Sequence, residues 1–303
     1  MPRLQNILTF DVEDWPQSTL DLSLPLTPRV RDNTHRVLDL LAGVGVRGTF
    51  FVLGLVAETF PDLVRRIREG GHELASHGYS HRPVHGMRPE EFRTDLRRSI
   101  ASIEDAGGTR VLGYRAPDFS ILARDWWALE IMAEEGLRYD SSIFPFAGPR
   151  YGVRAAFALP FQVLSASGSK FVEFPLTTVE CLGVRLPAAG GGYFRLAPYC
   201  VSRAAIARLN RRGAPATCYF HPYEMDAEEI ARSRQAIPWS LRLSQGLMRA
   251  RVAGKLRRLL GDFSWCPAGD WLGRPGEATG GRALDLTPWP GSEPRWLVRE
   301  VAS

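Results

Sequence analysis

His72-Glu73-Leu74-Ala75-Ser76-His77-Gly78-Tyr79-Ser80-His81 reads as a short strand that runs straight into a histidine pair. Two imidazoles four residues apart, on a turn or on the first turn of a helix, point the same way. Such a pair can clamp one side of a divalent cation, which usually also wants a third ligand, often a carboxylate. The same arrangement of apolar run followed by polar cluster recurs on both sides. Upstream, Asn6 to Phe10 is an apolar run that ends in Asp11, Glu13 and Asp14. Gly48 to Leu53 is a second strand, preceded by a helical pattern over Asp32 to Ala42 and followed by one from Pro61 to Glu69. Downstream, Pro89 to Ala106 is helical, with Phe92, Leu96, Ile100 and Ile103 on one face and Gly107-Gly108 as its stop. Val111 to Arg115 is the next strand and Asp125 to Glu135 the next helix.

Strand, loop and helix alternating at this spacing predict a parallel sheet or barrel. The unusual polar residues fall just after the strands, on the face where such barrels build their sites. The pattern changes at about 141–198, which is rich in Gly, Pro and short β-type runs such as Phe171-Val172-Glu173-Phe174. This reads as a loop-rich β insertion. Within it, Gly190-Gly191-Gly192-Tyr193-Phe194 calls for positive φ or a close backbone approach. Helical pattern returns at Val201 to Arg211, Thr217 to Phe220 is a last strand ending at His221, and Ile237 to Leu260 is helical again. The expected division is one domain over 1–265 and a loosely ordered tail over 266–303, where Gly, Pro and Arg dominate.

The 303 residues carry a net charge of +5, almost wholly through arginine. No compact basic run with interleaved aromatics occurs, which argues against nucleic acid as a partner. No apolar run reaches the roughly 20 residues of a membrane helix, and the start of the chain does not read as a signal peptide. Cys181, Cys200, Cys218 and Cys266 lack CxxC spacing and read as reduced thiols. A cytoplasmic protein is expected.

Four post-strand features stand in order: Asp11/Glu13/Asp14, His77/His81, Arg115-Ala116-Pro117 and His221-Pro222. In this order they resemble the motifs of the polysaccharide deacetylases of carbohydrate esterase family 4, whose catalytic unit is the NodB-homology domain. Thr9-Phe10-Asp11 resembles the first half of that family's Thr-Phe-Asp-Asp-Gly motif. His77 and His81 resemble its His-x-x-x-His, Arg115 and Pro117 its Arg-x-Pro, and Tyr219-Phe220-His221 its last motif. Asp11 to Trp15, Tyr139 to Pro145, Gly190 to Leu196 and His221 to Asp226 also look like the subgroup associated with exosortase/PEP-CTERM exopolysaccharide clusters.

The resemblance implies an α/β fold, a distorted (β/α) barrel of seven or eight strands, and a metal-dependent hydrolase that removes N-acetyl groups from N-acetylhexosamine units of a polysaccharide or its precursor. It implies Asp11 as general base, His221 as general acid and Arg115 as the partner that orients Asp11. It implies one divalent metal, zinc first, with cobalt or nickel acceptable, on His77, His81 and an acid. The family's metal aspartate would stand where this chain has Val12. Glu13 shares a strand face with Asp11, and Asp14 would serve if the chain turns after Val12; both stay open. Pro117, Tyr193 and Tyr223 are candidate substrate contacts, and Trp126 is either a sugar platform or core. Asp140 either orients His221 or opens a turn. The substrate would be an N-acetylated glycan or a lipid- or nucleotide-linked precursor. Two rivals are an allantoinase-like amide hydrolase and a carbohydrate-binding pseudoenzyme.

Overall fold

The computed structural model describes residues 4–146, 148, 151–272, 279, 281–287 and 294–298. Thirteen strands and ten helices alternate among them. The strands of the first half are β1 (Gln5–Val12), β2 (Thr49–Val52), β3 (Glu73–Ser76), β4 (Gly113–Tyr114) and β5 (Tyr139–Asp140). Between them run α1 (Arg29–Ala42), α2 (Gly54–Thr59), α3 (Pro61–Glu69), α4 (Pro89–Gly107) and α5 (Trp127–Glu134). The 141–198 region supplies β6 (Phe161–Leu164), β7 (Lys170–Glu173), β8 (Thr178–Cys181), β9 (Val184–Pro187) and α6 (Gly191–Leu196). There follow α7 (Tyr199–Arg211), β10 (Thr217–Phe220), α8 (Trp239–Gly246), α9 (Val252–Asp262), β11 (Ser264–Cys266), α10 (Ala268–Leu272), β12 (Arg282–Asp285) and β13 (Arg295–Val298).

The sheet runs β10-β1-β2-β3-β4-β5-β7-β6-β12-β13, with β11 also on β1. From β10 to β7 every neighbouring pair is parallel. A parallel sheet is covered on both faces, so its strands are apolar without alternation. Accordingly, seven of the eight residues of β1 are buried. The chain just past β7 comes back to the first strand of this path, where Thr177 N donates to the carbonyl oxygen of Thr217 at 3.2 Å. The helices bury one stripe each; in α1 it is Val30, Val37, Leu38 and Leu41, the i, i+7, i+8, i+11 positions that share a helix face. α4 begins at Pro89 and stops at Gly108, whose φ of 63° suits a glycine.

Three expectations change. The predicted strand over Val111 to Arg115 is regular only at Gly113–Tyr114, although Arg115 N still donates to the Ser76 carbonyl oxygen at 2.9 Å. The helical region from Ile237 breaks into α8 and α9 around Met248, whose φ is 66°. Third, the tail is not loose where it is described. β12 pairs in parallel with β6, Leu284 and Leu286 are fully buried, and Trp296 of β13 packs edge-on against Trp126 and Phe161. Composition alone hid this, since a strand of four residues gains its stability from non-local neighbours.

Candidate active site

In a parallel sheet the C-terminal ends of the strands all face one way, so residues just after them meet. Asp11 and Glu13 close β1, His77 follows β3, Arg115 follows β4, Ser141 and Ser142 follow β5, and His221 follows β10. They surround a cleft of about 560 Å³ whose lining includes Asp11, Glu13, His77, His81, Tyr193 and His221.

Arg115 is fully buried and organises one side. Its Nη1 donates to Asp11 Oδ1 and to Thr9 Oγ1, both at 2.7 Å. Its Nη2 donates to Ser141 Oγ at 2.7 Å and its Nε to the Ser141 carbonyl oxygen at 3.0 Å. The guanidinium lies 4.2 Å from the centre of the Phe51 ring. A planar fork with five donors suits this set of partners, and a lysine could not serve them together.

Glu13, His77 and His81 form the other side. One potential ligand atom from each lies within 4.8 Å of the others, the only such group among the described residues. Strand alternation explains why Glu13 is the acid here: it projects to the same side as Asp11. His77 Nδ1 hydrogen-bonds the Arg115 carbonyl oxygen at 2.9 Å. A carbonyl only accepts, so Nδ1 is the donor of this bond and Nε2 is the ring nitrogen turned toward Glu13. That Nε2 stands 3.6 Å from Glu13 Oε2, and His81 Nε2 is in close contact with the same oxygen. Yet Glu13 Oε2 is buried with no hydrogen bond of proper geometry. A turn, not a helix, delivers the pair, with Gly78 at φ 76° and His81 at φ 65°. A non-glycine residue held at positive φ is uncommon and marks a position fixed by its surroundings. Burial alone would raise Glu13, but the His81 charge and contacts with both histidines outweigh it and hold the carboxyl well below its ordinary range. An ionised, orphaned carboxylate oxygen beside two imidazole nitrogens is a donor set that fits a divalent cation.

Asp14 does not join them. The chain turns at Trp15, and both Asp14 oxygens accept from Thr27, Oδ2 from its backbone N and Oδ1 from its hydroxyl, each at 2.8 Å. Burial pushes Asp14 up to about 6 in spite of these bonds. The acid one residue along in the sequence thus ties the end of β1 to the segment leading into α1 instead of facing the histidines.

His221 faces the two acids from the far side, its Nε2 4.0 Å from Asp11 Oδ2 and 3.7 Å from Glu13 Oε1. Its Nδ1 lies 3.3 Å from Glu224 Oε2, and Tyr223 stacks on the ring with centroids 4.8 Å apart. Burial alone would lower this imidazole, but the Glu224 hydrogen bond and the charges of Glu13, Glu224 and Asp11 raise it to about 9. Glu224 is itself held low against its burial by His221, Arg195 and Arg249, with Arg195 Nε 3.6 Å from Oε1.

Of the candidate substrate contacts, Tyr193 and Tyr223 line the cleft. Pro117 sits between the lining residues Ala116 and Asp118 and packs behind Gly78. Trp126 is elsewhere: it is buried in the core against Trp296. Asp140 does not reach His221; its Oδ1 accepts from Ser142 Oγ at 2.6 Å, and Ser142 Oγ in turn accepts from Ala116 N at 2.8 Å. Three supporting side chains were not assigned from sequence. Ser141 and Arg195 carry no signal on their own. Glu224 stands three residues after His221, a spacing that could have flagged it. The glycine triplet does what its composition demands. Gly190 has φ 141°, and a Cβ there would lie 2.3 Å from the Tyr219 carbonyl oxygen in the cleft wall.

Comparison with known proteins agrees with this geometry. Residues 5–139 match the family profile described as "Polysaccharide deacetylase", and 141–273 match a "Domain of unknown function (DUF3473)". A "peptidoglycan deacetylase-like protein FGM2" of Gibberella zeae is 30% identical over 52% of this chain and 46% of its own. A "peptidoglycan deacetylase" of Helicobacter pylori is 31% identical over 50% of this chain and 51% of its own. The chain thus spans about half the length of these curated relatives. The solved structure of a "putative polysaccharide deacetylase" from Mycobacterium smegmatis superposes with a TM-score of 0.60 at 22% identity, covering 90% of both chains, a likeness of fold. Sequence, fold and the order of the site residues lead to one conclusion: residues 5–139 of this chain are similar to the polysaccharide deacetylases, and the chain shares its fold with a solved structure described as one.

Proposed function

We propose that this protein is a metal-dependent N-deacetylase acting on N-acetylhexosamine units of a polysaccharide, or of its lipid- or nucleotide-linked precursor, in exopolysaccharide biosynthesis. One observation carries the reading: the Asp11–Arg115 pair, the Glu13/His77/His81 cluster and His221 converge on a single cleft from four strand ends. The exopolysaccharide setting rests on the resemblance to the exosortase-associated subgroup.

Glu13, His77 and His81 would hold the cation, zinc by preference, with cobalt or nickel acceptable to the same donors. A divalent cation bound there lowers the pKa of water toward about 7 and polarises an amide carbonyl. Asp11, oriented by Arg115, takes the proton of the attacking water. The water oxygen bonds to the acetyl carbon. His221, protonated at Nε2, gives its proton to the amide nitrogen as the C–N bond breaks. Acetate and a free amine on the sugar are the products. Tyr193, exposed at the rim, offers an aromatic face to the sugar ring, while Tyr223 is stacked on His221 and holds that imidazole in place. The cleft rim is open, with Tyr193 37% and Leu196 49% exposed, which suits a glycan better than a small cyclic amide.

Acetate release from N-acetylglucosamine oligomers, measured beside metal content, tests the reading. The expected result is about one metal per chain, as for a three-ligand catalytic site, lost in His77→Ala, with acetate release abolished there and in Asp11→Asn. Metal without acetate would retain the site and reject this substrate. No metal after loading would overturn the catalytic reading.

A further inference from the structure

The outer face of α8 takes no part in this chemistry. No residue of the helix is buried. Leu241 and Gln245 line the cleft, so the opposite face looks away from it. There Trp239 is 78% exposed, Leu243 59% and Leu247 48%. Their spacing of four puts them in one stripe. Arg242, three residues after Trp239, lies on the same side. A contiguous apolar stripe of this kind on a surface marks an interaction site more often than chance exposure.

The stretch of chain that carries the stripe is one-signed in charge. No Asp or Glu occurs between Glu229 and Asp262, while Arg232, Arg234, Arg242, Arg249, Arg251, Lys255, Arg257 and Arg258 do. Arg249 is turned inward, donating to the Tyr223 and Gln245 carbonyl oxygens, and Lys255 donates to the Ala197 carbonyl oxygen at 2.7 Å. Arg234, Arg242, Arg251 and Arg257 are exposed.

We propose that this face docks on an anionic lipid bilayer, with Trp239, Leu243 and Leu247 at headgroup depth and the arginines on lipid phosphates. Apolar residues with an interfacial Trp, flanked by arginines, are the signature of a helix lying in the membrane plane. Each basic residue near an anionic surface adds to the attraction, and salt screens it. A second copy of the chain is the poorer occupant, because a two-fold contact would set the same basic face against itself. Since the inner side of α8 is a wall of the cleft, docking would hold the cleft beside the bilayer. For the deacetylase proposed above, it would present glycans on lipid carriers; the docking is tested without substrate, so the two readings fail separately.

The test is co-sedimentation of the full chain with vesicles of phosphatidylcholine alone or with about one-third phosphatidylglycerol, the anionic fraction supplying the surface potential. The wild type should pellet with the anionic vesicles only, and salt should release it. Trp239→Ser/Leu243→Ser should weaken binding at least about tenfold, as expected for lost interfacial apolar area, with an unchanged melting temperature. Arg242→Glu should weaken it on anionic vesicles. Wild type left in the supernatant, or a double variant that pellets equally, would overturn the proposal. So would a concentration-dependent dimer that the double variant lacks, since a second copy would then cover the stripe.

Discussion

His77 and Arg115 are joined main chain to side chain: His77 Nδ1 donates to the carbonyl oxygen of Arg115 at 2.9 Å, while the Arg115 guanidinium holds Asp11. One residue therefore orients a candidate metal ligand through its backbone and the candidate base through its side chain. Arg115→Lys keeps the charge and the carbonyl but cannot serve Thr9, Asp11 and Ser141 together. Breaking a buried pair of this kind costs about 3–5 kcal/mol. We expect kcat to fall by about a hundredfold or more, since misplacing a catalytic group by about 1 Å costs that much. Metal content should stay at the wild-type value, because His77 remains anchored. Stopped assays with parallel metal analysis check both.

Glu13 and Asp14 are adjacent in sequence and divergent in space. Glu13→Gln should strip the cation, as removal of one of three ligands does. Asp14→Asn should leave metal content unchanged and act on stability alone, through the two Thr27 bonds. Metal analysis of the two variants decides between them. Loss of metal in Asp14→Asn with retention in Glu13→Gln would reverse the assignment.

The pH profile should carry the mark of Glu224. His221 is raised to about 9, so it stays protonated, and able to act as an acid, until the pH rises through that value. kcat should fall on the alkaline side as the proton is lost. Glu224→Gln removes the hydrogen-bonded charge, and the alkaline limb should move down toward the ordinary imidazole value of about 6.5. A limb that does not move would mean that another group sets it.

Asp140 and Glu173 face each other across the β5–β7 pairing, both out of solvent. Burial raises both, Glu173 furthest, with the Asp140 charge adding to its shift. A carboxyl raised in the folded chain favours folding where it is protonated. That stabilisation fades as pH rises above the unfolded value of about 4. Glu173→Gln removes the proton demand while keeping an acceptor for Ile143 N, now met by Oε1 at 3.0 Å. At pH 8 the variant should be more stable by about 1 kcal/mol or more, the worth of one pKa unit, and its stability should depend less on pH. Denaturant melts at pH 5 and pH 8 measure this.

Gly190→Ala should be among the more damaging small substitutions. The new methyl meets the Tyr219 carbonyl oxygen at 2.3 Å and φ is 141°. A strained φ alone costs about 1–3 kcal/mol, and the clash adds to it. A lowered melting temperature together with a raised KM is expected, because Tyr219 lines the cleft.

What was legible in the sequence follows from how local each determinant is. β1, β3 and β10 are short apolar runs bounded by polar residues, so the site residues at their ends could be placed on one face before any coordinates. The choice between Glu13 and Asp14 depended on where β1 ends and on Thr27, a partner thirteen residues away. Trp126 could be read as platform or, more readily, as core, and Trp296, remote in sequence, packs against it there. Asp140 was set by Ser142 and Glu173, not by His221, because a parallel partner arriving from the insertion fixed its surroundings. β12 was hidden for the same reason: its partner, β6, is remote in sequence.

The position of β12 also bears on solubility. It covers the outer side of β6, a strand that would otherwise show a row of unpaired backbone N–H and C=O groups at the sheet margin. Bare margins recruit other chains and seed aggregation. A form shortened to 1–265 would retain every residue of the candidate site and still be expected to precipitate or to add strands between molecules.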